Sequence, residues 1–387
     1  MDSKKIIVAG LGGVGGFLGA ALASVYSDVT FFARGARKEH LKTNGLTLKS
    51  EFIGDKVVKP ALVTDDAAEA GIADFLIISV KNYSLEQICR QLAPAVDEHT
   101  IIVPVLNGID PADRTRQMFE KGIVVDSLIY IASGSEPDFS IVQKGNYTNL
   151  HIGTRSSDPR VKEAVEKVHS LFVPTGINCI MAEDIEAAIW KKYIFNCAFN
   201  VMTAAYSANV EDLRIVPEYV QDMENLMDEA CLVARKKQVA IPDDLKEERI
   251  QFFMNLQSPT ATSSLRRDID AGRSSELETF SGYLLQEAPK YGVKLARTEY
   301  YYKLLKEKEE IHTLLDKLHA SIEKNGAMHE ETAACHYQLG LYYIKHANAS
   351  DAMSHLGDAL YIRRQYYTED SLRIREIYYA LEQCTFM

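Results

Sequence analysis

Residues 4–16 read KKIIVAGLGGVGG. The run from Ile6 to Ala9 has no polar residue to mark a wet face, so it reads as a strand buried on both sides. The glycines that follow are spaced Gly10-x-Gly12-x-x-Gly15 and lead straight into text that reads as a helix over Val14–Val25. Strand, glycine turn and helix in that order make the dinucleotide-binding fingerprint. Gly10 permits the tight turn, Gly12 lets backbone approach a pyrophosphate, and Gly15 brings helix against strand. The helix N-terminus then faces the phosphates. The expected cofactor-binding loop is therefore Gly10, Gly12, Gly13, Val14 and Gly15.

Outward from this loop the first third of the chain alternates. DVTFFAR (28–34), ADFLIISVK (73–81) and HTIIVPVLN (99–107) read as further strands with helical text between them, the pattern of a doubly wound sheet. GLTLKS and DKVVKPALVT, within residues 45–64, look like a β insertion, and IVQKGNYTNLHIGT (141–154) like a hairpin closing the first domain. From Asp158 the text turns helical: Pro159–Phe172, Glu183–Ser207, Pro217–Gln238, Leu245–Leu256, Ser274–Lys290 and a run from Thr298. The expected fold is an α/β Rossmann domain with a mostly parallel sheet (1–180), an all-helical substrate and catalytic domain (181–310), and a short helical tail (311–387).

Composition narrows the function. A chain of 387 residues exceeds the usual size of one core, and 47% hydrophobic with 25% charged residues describes an ordinary globular protein. A net charge of -11 argues against a dedicated nucleic-acid or anionic-membrane surface, leaving small molecules as the expected partners. Six cysteines without a CxxC pair, and no signal peptide before the first strand, imply reduced thiols and a cytoplasmic protein. No apolar run approaches a membrane span and no histidines have zinc-ligand spacing, so neither membrane nor metal is expected.

The cofactor's identity is legible after the second strand. An enzyme using NAD usually ends that strand with an acidic residue on the ribose hydroxyls, and none stands there. Arg34 stands there instead, with Arg37 and Lys38 close behind, which suits the extra phosphate of NADP; Arg34 is the expected contact, and the other two could be solvated.

A second signal lies in WKKYIFNCAFNVMTAAY (190–206). Lys192, Asn196 and Asn200 recur every fourth residue, so they form one narrow polar stripe on a helix, which Thr203 extends. The other directions are mostly apolar, too much so for the wet face of a surface helix. A buried polar stripe needs partners, either other protein groups or a ligand.

Taken together, GLGGVGG, FFARG, SVKNYSLEQI, VLNG, WKKYIFNCAFNVMTA and SSLRRDIDAGRSSELETFSGYLL resemble the ketopantoate reductase family over roughly residues 4 to 310. The glycine motif is shared with countless dehydrogenases. W-K-K-x(3)-N-x(3)-N followed by S-S-x(3)-D-x(3)-G-x(3)-E is far more discriminating. The resemblance implies reduction of 2-dehydropantoate to pantoate with NADPH. It makes Lys192 the catalytic lysine and Glu276 the catalytic acidic residue that contacts substrate and borders the cofactor. It also places Asn196 and Asn200 on the substrate, Asn107 at the cleft between nicotinamide and substrate, Lys81 near the cofactor, and Ser264 on the substrate carboxylate. An ammonium poised at a carbonyl can stabilise and then protonate the oxygen that gains charge during hydride delivery. Ser264 has helix capping as an alternative role.

Three departures bear on substrate identity rather than on redox chemistry. Ser281 stands where the family commonly has asparagine, VKLARTEYY lacks the usual proline before the final helix, and SGSEPDFSIVQKGN lacks a proline-glycine turn. The alternatives are a paralogue acting on another 2-oxo acid, or an NADP-binding sensor or scaffold. The tail is outside the family pattern. There Leu339, Gly340, Tyr343, Ala352, Leu356 and Ala359 sit at tetratricopeptide-like spacings, with Arg364 where the repeat expects proline. A single repeat cannot bury its own faces, so this hairpin is expected to pack on the preceding helix, on the main body, or on a partner chain, including a second copy.

Overall fold

The computed structural model describes residues 4–385. The chain divides into two compact units: Met1–Ala198 with Met227–Phe252 and Glu278–Val293, and Phe199–Leu226 with Phe253–Leu277 and Lys294–Met387.

The first unit is built on a parallel sheet. Its strands are β1 (Ile6–Ala9), β2 (Val29–Phe32), β5 (Leu62–Thr64), β6 (Phe75–Ile78), β7 (Ile101–Pro104) and β8 (Ile123–Val124). They lie in the order β5-β2-β1-β6-β7-β8 with every neighbour parallel. Alternate side chains of β1 enter different cores: Ile6 and Val8 pack with Phe17, Leu18 and Phe31, whereas Ile7 and Ala9 pack with Leu76, Leu85 and Ile102. That two-sided burial is why these strands read as unbroken apolar runs. The order reverses between β1 and β6, and the C-terminal ends of strands at such a switch point are where doubly wound sheets bind ligands.

Helices flank and follow the strands: α1 (Gly13–Ala23), α2 (Gly35–Asn44), α3 (Ala67–Ala70), α4 (Leu85–Leu92), α5 (Pro111–Met118) and α6 (Pro159–Phe172). The β insertion divides. β3 (Leu46–Ser50) and β4 (Lys56–Val58) enter a second sheet, while β5 forms the edge of the first. That second sheet runs β11-β10-β3-β4 and also holds β9 (Asp126–Ser135) against β10 (Ile141–Gly153); β11 is Asn178–Met181. The hairpin expected inside residues 141–154 is instead one long strand paired antiparallel with β9. Gly145, at φ +82°, accommodates a register shift between Lys144 and Asn149, so its turn signal marks a bulge rather than a reversal.

After β11 the chain is helical: α7 (Ile185–Ala205), α8 (Val210–Arg214), α9 (Pro217–Lys236), α10 (Leu245–Asn255), α11 (Ser264–Asp270), α12 (Tyr283–Glu287), α13 (Ala296–Asn325), α14 (Glu330–Lys345), α15 (Ala349–Arg363) and α16 (Leu372–Cys384). The helix expected over Ser274–Lys290 is broken. A π turn over Glu278–Gly282 leads into α12, and a 3-10 turn over Ala288–Tyr291 follows. The Tyr193 hydroxyl is within bonding distance of the carbonyls of Thr279 (2.9 Å) and Phe280 (3.1 Å), drawing them out of a regular ladder.

In the tail, α14 and α15 fold back on each other, and Leu339, Gly340, Ala352, Leu356 and Ala359 are all buried. Ile377 and Ala380 of α16 join the core formed by Ala352, Leu356 and Ala359. The hairpin also packs on the preceding helix: Tyr342 donates to the Glu307 carbonyl at 3.1 Å, and the Ser321 and Thr332 hydroxyls meet at 2.9 Å. Among the described residues, no helix is long and apolar enough to cross a membrane.

Candidate active site

The glycine loop sits at the switch point. Gly10 has φ +89°, and a β-carbon there would lie 2.4 Å from the Ser79 carbonyl oxygen at the end of β6. At Gly15 a β-carbon would come within 1.9 Å of the Gly10 oxygen, so strand and helix pack as closely as the fingerprint requires. Gly13 is equally constrained, its virtual β-carbon lying 2.7 Å from the Ser133 oxygen. Gly12 is different, with nothing within 4 Å of such an atom. Gly12 is also the N-cap of α1, whose N-terminus has no side-chain cap and no acid in its first turn, while Val14 in that turn is half-buried. Open space over amide groups that no side chain caps fits a dinucleotide pyrophosphate.

The basic residues beyond β2 have distinct surroundings. Arg34 is exposed at the N-cap of α2. Arg37 turns back onto the loop, donating to the Leu11 carbonyl and, at 2.7 Å, to the Ser135 hydroxyl, with its guanidinium 4.9 Å from the centre of the Phe139 ring. Burial lowers its pKa. Lys38 pairs with Asp65 at 2.5 Å. Lys81 stands half-buried three residues beyond β6, at the N-cap position of a 3-10 turn over Asn82–Ser84.

Lys192, Asn107 and Asn196 line one small cavity of the first unit, with Leu106, Ile189 and Tyr193 as apolar wall. The Lys192 ammonium donates to Asn107 Oδ1 at 3.0 Å. Asn107 is itself held: Asn82 Nδ2 donates to its carbonyl at 2.8 Å, and Arg114 Nη2 donates to the Asn82 carbonyl at 3.1 Å. Fully buried Tyr193, packed edge-on against Trp190 and Tyr283, fixes this stretch of α7. Lys192 Nζ also lies 5.8 Å from the centre of the Tyr130 ring, and Tyr130 meets His151 edge-to-face at 5.8 Å. Burial, and secondarily the Lys192 charge, pushes the His151 imidazole below its usual range, while burial raises the Tyr130 phenol. Sequence reasoning assigned no role to Asn82, Tyr130 or His151. Asn82 lies within the quoted SVKNYSLEQI motif, but nothing in the sequence near Tyr130 or His151 ties either to Lys192.

The remaining site candidates belong to the second unit. Asn200, on α7, and Glu276, in the irregular stretch before the π turn, are both buried. Ser263 is the N-cap of α11, accepting from the Arg266 amide, and Ser264 is the first helical residue. Thr203, at the end of the polar stripe, donates to Ser263 Oγ at 2.7 Å, so that end of the stripe is satisfied by protein.

Two family models match the chain, one described as ketopantoate reductase PanE/ApbA over residues 6–157 and one as its C-terminal part over residues 184–309. The chain belongs to the ketopantoate reductase family. It is an oxidoreductase. Among relatives in that family, 2-dehydropantoate 2-reductase from Aquifex aeolicus is 25% identical over 79% of this chain and 97% of its own. An uncharacterized oxidoreductase, YkpB of Bacillus subtilis, is 29% identical over 77% of this chain and 96% of its own. The crystal structure of 2-dehydropantoate 2-reductase from Methylococcus capsulatus covers 80% of this chain and 98% of its own at 26% identity, with a TM-score of 0.71. A ternary structure of D-mandelate dehydrogenase with NADH and anilino(oxo)acetate reaches 0.72 at 19% identity, covering 80% of this chain and 99% of that one, a likeness of fold alone. The family match ends at residue 309, before most of α13 and all of α14, α15 and α16.

Proposed function

We propose that this chain reduces a 2-oxo acid to the 2-hydroxy acid with NADPH, 2-dehydropantoate to pantoate being the first reaction to test. The observation that carries the reading is the Lys192–Asn107 pair in the wall of a cavity, within a chain of the ketopantoate reductase family. When bound, the nicotinamide cofactor supplies the hydride. The residues proposed to hold it are those of the loop from Gly10 to Gly15, with Lys81, Asn107 and Glu276, and with Arg34 on the 2′-phosphate because no acid follows β2. Lys192 is proposed to hold a proton at the substrate's carbonyl oxygen and release it as charge builds there; solvent then restores the proton. Asn107 Oδ1 aims the ammonium, and the bond from Asn82 fixes Asn107. Asn196, Asn200, Ser264 and Glu276 are proposed to bind the acid and its hydroxyl group.

A second reading, reduction of a different 2-oxo acid, draws support from Ser281 in place of the family's common asparagine. The higher identity to the uncharacterized Bacillus oxidoreductase than to the Aquifex reductase favours it too. Cofactor oxidation measured across a panel of 2-oxo acids decides between them. Turnover with none of the panel, under either NADPH or NADH, would sink both. The proposed setting is the cytoplasm, on the strength of cysteines without a disulfide-like spacing.

A further inference from the structure

The tail beyond the family match holds a cluster of side chains that the redox reading does not use. His336 lies on α14, and His355 and Asp358 lie on α15. His336 Nδ1 is 2.9 Å from His355 Nδ1 and 3.6 Å from Asp358 Oδ2. One ligand atom from each of the three falls within 4.8 Å of the others. Local spacing hides the set, because the two histidines are 19 positions apart in sequence.

The fold brings them together for identifiable reasons. Residues 346–348 reverse the chain, so α15 runs back along α14. Gly340 lets the helices close: a β-carbon there would lie 2.6 Å from Leu356 Cδ2. On α15, an i, i+3 spacing puts His355 and Asp358 on one face. The Tyr343 ring stacks on His355 at 5.6 Å with planes 4° apart, restricting that imidazole. The His336 side chain is 14% exposed and that of Asp358 58%; both imidazoles are half-buried while the carboxylate stands open to solvent.

We propose that His336, His355 and Asp358 form a binding site for a zinc-class divalent transition metal that clamps α14 to α15. Two imidazoles with one carboxylate suit zinc and its late first-row neighbours, whereas magnesium and calcium favour all-oxygen sets. Zinc–nitrogen bonds of about 2.0–2.1 Å at a tetrahedral angle separate two nitrogens by roughly 3.3 Å. The observed nitrogens need to part by only a few tenths of an ångström. Water, entering past Asp358, completes the coordination. Without metal, the two rings share one N–H···N hydrogen bond, and the metal takes its place. The sequence expectation of no metal rested on local motifs, whereas these ligands come from two helices.

The test uses the full-length, tag-free chain, stripped with chelator and dialysed. Calorimetric titration with zinc chloride is expected to give one site per chain, and cobalt(II) to show the visible bands of a low-coordinate nitrogen and oxygen site. Magnesium should give neither. Zinc should also raise the melting temperature. His336→Ala, His355→Ala and Asp358→Asn should each weaken zinc by at least about tenfold, the lower end of what disturbing even an outer-sphere partner does. His319→Ala, an exposed change on α13, should bind as wild type. Asp358→Asn preserves shape at a mostly exposed position, so its result stands even if a histidine variant loses helicity by circular dichroism. Absence of saturable one-to-one binding in wild type overturns the proposal. So does unchanged zinc affinity in any of the three ligand variants.

Discussion

Replacing Lys192 by methionine keeps most of the aliphatic stem and removes the ammonium. Two consequences follow from where that ammonium sits. The first is kinetic: with Lys192 as the proposed proton donor, its loss should lower turnover by roughly a hundredfold to ten-thousandfold, about 2.7–5.4 kcal/mol of barrier. The ground state loses the charge-assisted 3.0 Å contact to Asn107 Oδ1 among its interactions, a contact on a scale of about 1.5–3 kcal/mol. Asn107 keeps its hold from Asn82, so the site should not collapse. The second consequence is electrostatic and needs no substrate. Burial is the larger cause of the low His151 pKa and the Lys192 charge the smaller, so Lys192→Met should raise His151 without restoring its usual value. Steady-state kinetics over a substrate series, alongside an NMR titration of His151, read the two effects separately. Lys191→Met is the internal control, since one residue turns the side chain by about 100° around the helix. Equal losses in both variants, or a raised KM with turnover intact, would refute the proton-donor role. A His151 that does not move would refute the electrostatic coupling.

Three further outcomes are expected. Arg34→Ala should weaken NADPH with little effect on NADH, whereas Arg37→Ala, which releases the Leu11 carbonyl, should weaken both; fluorescence titration of each cofactor separates them, and identical profiles would remove Arg34 from the 2′-phosphate. Gly15→Ala, whose β-carbon would meet the Gly10 oxygen at 1.9 Å, should lower stability by about 3 kcal/mol or more, while Gly12→Ala should melt near wild type and lose cofactor affinity; denaturant unfolding compares them. Truncation after Asn325 should leave NADPH binding intact but lower the melting temperature, since it strips Thr332 and Tyr342 from α13; if the tail also docks a partner or a second copy, mass in solution changes as well, and unchanged mass with unchanged melting would count against both roles.

Much of the fold was legible because its signals are local. The strand, glycine turn and helix of residues 6–23 are set by burial on both strand faces and by positions where a β-carbon cannot fit, and both facts are written in residue type. Helix starts at Pro159, Pro217 and Leu245 appear where proline, caps and periodicity place them. The stripe of Lys192, Asn196 and Asn200 follows from helical geometry alone. Tertiary structure decided the rest, because the deciding partners are far apart in the chain. Gly145 marks a bulge only because β10 pairs with β9. The helix expected from Ser274 breaks because the Tyr193 hydroxyl draws two carbonyls out of register. Arg37 clasps the glycine loop, Asn82 steadies Asn107, and His151 feels Lys192, all through contacts that no window of sequence contains. His336 and His355 meet for the same reason: a three-residue turn and a glycine let two helices close, and packing, not spacing, brings their nitrogens to 2.9 Å.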